Sequence, residues 1–335
     1  MIVAKAFPTL YFLSGDKHNM KLLYPEIEPF QTFFLDTGSQ HQVYVEQSGN
    51  PDGVPVVFLH GGPCSGTRPG QRCFFDPEKY HIILFDQRGC GLSVPFGELD
   101  GNTTQDLIED MERIRKHLNI QQWLLFSGSW GSTLALLYAQ QHANHVSAMV
   151  IRGVFLARQK DMDWFIDDGV GRIYPEKWQQ LVNSIPEQKQ GPLVNGLYSA
   201  VFGDNQLNQR RATKAWMEWG GQVALLQDYQ EDEKPAPISK KMVQQVQMEM
   251  HYAKNKYFID ENQVLNHCDD LQNIPTVIVH GRKDLVCPIE AALSLSKVMP
   301  NAEFIVLPNA GHIASGDEMI DALVDATDRL VEMLE

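Results

Sequence analysis

Short runs of β-branched and apolar residues recur through the first half of the chain, at residues 42–46, 56–59, 82–85, 123–126 and 148–151. Each breaks at a turn-forming segment, such as SGNPDG after the first and HGGP after the second. Runs this short, bounded in this way, read as strands. Residues 103–118 carry a helical period instead, with Leu107, Ile108, Met111, Ile114 and Leu118 on one face and Thr103 with Asp106 as a capping pair. The stretch FSGSWGSTLALLYAQ, residues 126–140, passes from apolar run to helical pattern through small residues, which predicts a strand, a sharp turn and a helix with Ser129 at the turn. Residues 156–266 change to helical segments rich in Trp, Gln and charge, with no clear buried strand. The alternation returns at residues 276–279 and 303–307 and closes on an amphipathic helix through Ile320, Leu323, Val324, Leu330 and Leu334.

This rhythm predicts an α/β fold with a mostly parallel sheet flanked by helices. It divides the chain into a first core segment over residues 1–155, a helical cap over 156–266 and a second core segment over 267–335. The length of 335 residues fits one core with a large insertion, and 43% hydrophobic residues suffice to fill it.

The formal charge of -14 repels phosphate backbones and anionic lipid, which argues against nucleic acid and membrane surfaces as partners. No run reaches the roughly 18 apolar residues that span a bilayer. The apolar N-terminus is broken by Lys5 and Pro8 and has no AxA-like cleavage site, so it does not read as a signal peptide. Cys64, Cys73, Cys90, Cys268 and Cys287 are odd in number and show neither a CxxC pair nor a disulfide framework. Reduced thiols in a cytoplasm are the expectation.

Two strands end in glycine-rich loops, HGGP and DQRGCGLS, expected on one sheet edge, where sites are built. A serine at the turn needs a base, and the base an orienting acid; in α/β hydrolases these follow the serine as acid and then histidine, each after its own strand. Asp284 in VHGRKDLVCP and His312 in NAGHIAS meet that order. Singly, Asp284 reads as a helix cap and His312 as a surface residue; the joint placement makes Ser129, Asp284 and His312 the candidate triad. His280 and His251 precede the acid or fall in the cap, and Asp269 and Asp270 come before the strand. The mixed set His280, Asp284, Cys287 and His312 lacks the spacing of a metal site, so neither metal nor cofactor is expected. The amides of Trp130, after the serine, and of Gly62 in HGGP are the expected oxyanion donors. His60 reads as a structural hydrogen-bonding residue.

LYPEIEPF, EQSGNPDG, VVFLHGGP, DQRGCGLS, NTTQDLIEDMERIRKHL, GSWGSTLALLYAQ, RGVFLAR and VHGRKDLVCP together make the sequence resemble the prolyl aminopeptidases (proline iminopeptidases), α/β-hydrolase-fold serine peptidases with a helical cap. The resemblance covers roughly residues 22–335, which makes Met20 a candidate start and 1–19 an extension. It implies release of N-terminal proline from a peptide, with the proline ammonium held by cap carboxylates. Glu249 in MEMHYAKNKYF matches one of these, and Phe155 and Trp130 match aromatics around the proline ring. Four positions depart from the family pattern. Gly220 stands where the second cap carboxylate is expected, Glu218 being on another face of the helix, and Ala253 stands where an aromatic is expected. Ser127 replaces the first glycine of GxSxG, and Cys64 the last residue of HGGPG. With one amine anchor missing, the alternative is a related hydrolase acting on an ester or another amide without a cationic terminus.

Overall fold

The computed structural model describes residues 10–11, 20–185, 192–230 and 236–335. Its strands are β1 (Leu10–Tyr11), β2 (Gln31–Asp36), β3 (Gln42–Gly49), β4 (Val54–Leu59), β5 (Tyr80–Phe85), β6 (Trp123–Ser129), β7 (Val146–Val154), β8 (Thr276–Gly281) and β9 (Glu303–Leu307). They form one sheet in the order β1-β9-β8-β7-β6-β4-β5-β3-β2. From β5 through β4, β6, β7 and β8 to β9 all pairings are parallel. Every residue of β5 and β8 is buried, as strands covered on both faces should be.

The N-terminal end departs from the expected alternation. β2 and β3 form an antiparallel pair, β3 joins β5 antiparallel, and β4 leads to β5 through only the 3-10 turn Pro69–Phe74. β2 escapes a search for buried runs because its residues are exposed or half-buried, with Phe34 52% accessible. Residues 1–19, read as an extension, lie outside the described residues apart from Leu10–Tyr11, which pair with β9.

The core helices are α1 (Thr104–His117) and α2 (Trp130–Gln141). Thr103 caps α1, its hydroxyl accepting from the Asp106 amide while the Asp106 side chain accepts from the Thr103 amide. Between β7 and β8 lie α3 (Gln159–Ile166), α4 (Asp168–Gly171), α5 (Pro175–Ser184), α6 (Leu193–Phe202), α7 (Gln206–Leu225), α8 (Lys240–Lys254) and α9 (Gln263–Asn266), with no strand among the described residues. α10 (Ile289–Val298) and α11 (Asp317–Leu334) complete the chain.

Apolar side chains gather in three clusters. One lies on each face of the sheet, around Leu125, Leu134 and Ile151 and around Phe126, Val150 and Leu323. The third, around Leu197, Trp219, Val223 and Val246, belongs to the inserted helices. α7 and α8 pack on one another and on α6. The C-terminal ends of β4, β6, β8 and β9 all open toward this insertion.

Candidate active site

Ser129 ends β6 with φ 57° and ψ −130°, and α2 begins at the next residue. A left-handed backbone at a non-glycine residue costs about 1–3 kcal/mol, and the surrounding packing enforces it. A Cβ at Gly131 would lie 2.1 Å from the Leu59 carbonyl oxygen, and one at Gly128 would lie 2.6 Å from Arg152 Nε. Helix and strand therefore approach too closely for a side chain at Gly131, and the Arg152 side chain of the neighbouring strand fills the space at Gly128. Ser127 fits because its buried hydroxyl turns to the Val150 carbonyl oxygen, 3.3 Å away.

As the first residue of α2, Trp130 supplies an amide without an intrahelical acceptor. The HGGP loop meets it from β4: a Cβ at Gly61 would lie 3.0 Å from Ser129 Cβ, and Gly62 has φ +115°, which only glycine adopts readily. Gln87, after β5, binds these pieces together. Its amide donates to His60 Nε2 (3.0 Å), its side chain donates to the His60 carbonyl (2.9 Å), and its Oε1 accepts from Trp130 Nε1 (3.0 Å). Burial lowers the His60 pKa, so the ring stays neutral and Nε2 remains an acceptor. Cys64 is buried, with its thiol toward the Gly89 carbonyl.

Asp284, in the loop after β8, is buried and accepts from His312 Nδ1 at 2.8 Å and from the amides of Val286 (3.0 Å) and Cys287 (2.9 Å). Burial alone would raise its pKa, but the charge and hydrogen bond of His312, with His280 and the Cys287 amide, outweigh that and hold it below the usual carboxylate range. His312 follows β9, and its carbonyl accepts from Arg152 Nη1 at 2.7 Å. β7 lies between β6 and β8, and Gly153 near its end leaves the room this arrangement needs: a Cβ there would meet His312 Cε1 at 3.3 Å and Asp284 Oδ2 at 3.4 Å.

The competing groups are occupied. His280 accepts from the Val154 amide at Nδ1 (3.1 Å) and donates from Nε2 to the Cys287 carbonyl (2.8 Å), a neutral tautomer with both nitrogens spent. Burial pushes the Cys287 thiol, beside Ser129, well above its ordinary pKa, so it stays protonated. Among the described residues no group of three His, Cys, Asp or Glu side chains is arranged to hold a metal ion.

Ser129, Trp130, Gly62, His312, Phe155 and Glu249 all line one cavity of about 280 Å³. Phe155 is set there by the first turn of α2: its amide donates to Ser132 Oγ (3.0 Å) and its carbonyl accepts from Thr133 Oγ1 (2.7 Å). Tyr257 crosses both aromatics, its ring centroid 5.0 Å from Phe155 and 5.2 Å from Trp130. Glu249 on α8 accepts from Trp216 Nε1 on α7 at 2.6 Å and from Gln245 Nε2 at 3.4 Å. Burial raises its pKa to about 7 against the pull of those two donors. The other lining carboxylate, Asp161, is paired with Arg158 at 2.6 Å. Glu249 has no cation beside it among the described residues. Gly220 lines the cavity one turn after Trp216, while Glu218 faces away and meets Lys214 at 3.5 Å.

Tyr257, Trp216 and Gln87 are site residues that the sequence reading did not single out. Only the quoted segments around Gln87 and Tyr257 hinted at two of them; Trp216 meets Glu249 through packing of α7 on α8, which no local pattern reports.

Residues 54–318 match the family described as alpha/beta hydrolase fold. A probable proline iminopeptidase from Leptolyngbya boryana is 43% identical over 93% of this chain and 98% of its own. The proline iminopeptidase of Arabidopsis thaliana is 42% identical over 94% of this chain and 84% of its own. Among solved structures, the proline iminopeptidase of Mycobacterium smegmatis superposes with a TM-score of 0.57 at 15% identity, covering 91% of this chain and all of that one, a likeness of fold. With 43% and 42% identity to the first two over nearly the whole length, and the family model matched over residues 54–318, the chain belongs to the proline iminopeptidase family of α/β hydrolases.

Proposed function

We propose that the protein is a serine aminopeptidase that releases N-terminal proline from peptides. The observation that carries this reading is a buried carboxylate, Glu249, with no cation beside it among the described residues, in the same cavity as Ser129 and His312. A charge-assisted hydrogen bond from a substrate ammonium is the strong contact such a group can make, and it selects a free terminus.

In this reading Ser129 Oγ attacks the carbonyl carbon of the first residue while His312 takes its proton, and Asp284 orients the imidazole and balances its charge. The amides of Trp130 and Gly62 receive the oxyanion, each contributing about 3 kcal/mol to the barrier reduction. Collapse of the adduct expels the downstream peptide as an amine, protonated by His312. Water activated by the same imidazole then hydrolyses the acyl-enzyme and frees proline.

The role of cap belongs to residues 156–266, between core segments 1–155 and 267–335. Five unpaired, buried cysteines support a cytoplasmic setting, and no helix among the described residues is long and apolar enough to cross a membrane. The charge of -14 speaks against nucleic acid as a partner.

A second reading, a hydrolase of esters or other amides, draws on Gly220, which adds no carboxylate beside Glu249; the other lining carboxylate, Asp161, is paired with Arg158. A prolyl arylamide and its N-acetylated form separate the two: the first reading requires that acetylation abolish turnover, and equal turnover of both would favour the second.

A further inference from the structure

Two adjacent glycines on α7 differ in what they are for. A Cβ at Gly221 would lie 2.7 Å from Tyr229 Cε2, so packing explains that glycine. A Cβ at Gly220 would meet nothing within 4 Å, and the residue sits in helical backbone where glycine is a poor choice. Neither packing nor backbone geometry demands it. Its missing side chain is felt only in the cavity that it lines opposite Glu249.

The wall is thin in a second place. Ala253, one turn beyond Glu249 on α8, lines both the Ser129 cavity and a neighbouring cavity of about 350 Å³. Met162 and Ile166 of α3 complete the shared partition. A methyl group, a readily rearranged methionine and Ile166 therefore stand between the two spaces, and of these Ala253 is the smallest. The 280 Å³ of the Ser129 cavity alone equals about nine waters at ~30 Å³ each. The short methylene bridge of proline fills a small part of that, and the surroundings (Phe165, Met162, Ile166, Val286) are apolar.

We propose that the pocket accepts peptides whose first residue carries an apolar side chain much larger than the proline ring, the added bulk lying beside Gly220 and against Ala253. This rests on the aminopeptidase reading above. The free amine stays at Glu249 and the scissile carbonyl at Ser129, while a leucyl or phenylalanyl side chain occupies the room that a side chain at 220 would fill.

The test is hydrolysis of the 2-naphthylamides of proline, leucine and phenylalanine by the full chain and by its G220L and A253F variants. Leucine is a better helix former than glycine, and a Cβ at 220 meets nothing within 4 Å, so G220L is expected to retain the fold, read from its far-UV circular dichroism; A253F narrows the space from the other side. The expected kcat/KM of the wild type for the phenylalanyl compound lies within about tenfold of that for the prolyl one. Each variant is expected to lower the phenylalanyl-to-prolyl ratio by about tenfold or more, the scale on which pocket volume discriminates. Cleavage of the prolyl compound without the other two, or ratios that neither variant moves, overturns the proposal and leaves the aminopeptidase reading standing. Failure to cleave any of the three overturns both.

Discussion

Glu249 titrates at about 7 where glutamate ordinarily titrates near 4.5, a displacement worth about 3 kcal/mol at ~1.4 kcal/mol per pH unit. Because the folded protein holds this proton more tightly than the unfolded chain, the carboxyl costs no stability below pH 4.5. The cost grows through the window from 4.5 to about 7 and is complete above it. Glutamine at this position keeps an oxygen for Trp216 Nε1 and has no charge to desolvate. E249Q is thus expected to stabilise the protein by about 1–3 kcal/mol at pH 8 and to leave it unchanged at pH 4, read from urea unfolding. Activity moves the other way. Losing a charge-assisted contact of about 1.5–3 kcal/mol lowers kcat/KM for a prolyl arylamide about 10- to 150-fold, with little effect on a neutral ester. In the wild type the ionised fraction of Glu249 falls from one half at pH 7 to about one tenth at pH 6, so the arylamide-to-ester ratio of kcat/KM falls about fivefold over that unit. The triad serves both substrates, and its own titration cancels in the ratio. Equal loss on both substrates, or a stabilisation relative to the wild type no larger at pH 8 than at pH 4, refutes the reasoning.

S129A is expected to abolish turnover and labelling by a fluorophosphonate, read by intact mass. D284N removes the acceptor that orients His312 and should reduce kcat by about 10³–10⁴ while leaving KM close to its starting value. G153A places a methyl group against His312 and Asp284 at φ +51°; kcat should fall at least tenfold, with about 1–2 kcal/mol lost in urea unfolding. Asp110 is buried and pairs with Arg88 Nη2 at 2.8 Å, 22 residues away in the chain; D110A leaves the buried guanidinium only Asp106 (3.3 Å) and the Gly101 carbonyl and should destabilise by about 1.5–3 kcal/mol.

The central parallel strands were legible because they are covered on both faces, which forces continuous apolar runs; β9 was bounded to the residue, and the Thr103 cap fixed the start of α1. β2 was not, since a strand with one face in water needs no such run. At the site, Ser129, Asp284 and His312 could be read from the order in which loops follow strands, a property of the chain. What surrounds them could not. The environment of Glu249 depends on Trp216, 33 residues distant, and Phe155 is held by hydroxyls of Ser132 and Thr133 that resemble ordinary helix residues. The occupied state of His280 is equally invisible, because both of its partners are backbone groups.

The insertion leaves the sheet after β7 and returns before β8, so Ser129, Asp284 and His312 lie on other stretches of the chain than Gly220 and Glu249, which face the same cavity. A side chain at Gly220 of α7, where a Cβ meets nothing within 4 Å, would reshape the cavity without displacing a packed neighbour. The insertion is not a detachable unit, however: Met248, Tyr252 and Tyr257 are buried in the same cluster as Trp130, so only its cavity-lining positions outside that cluster can vary without touching the core. Gly220 is a position of that kind, on the cavity wall and outside the packing that ties the insertion to the core.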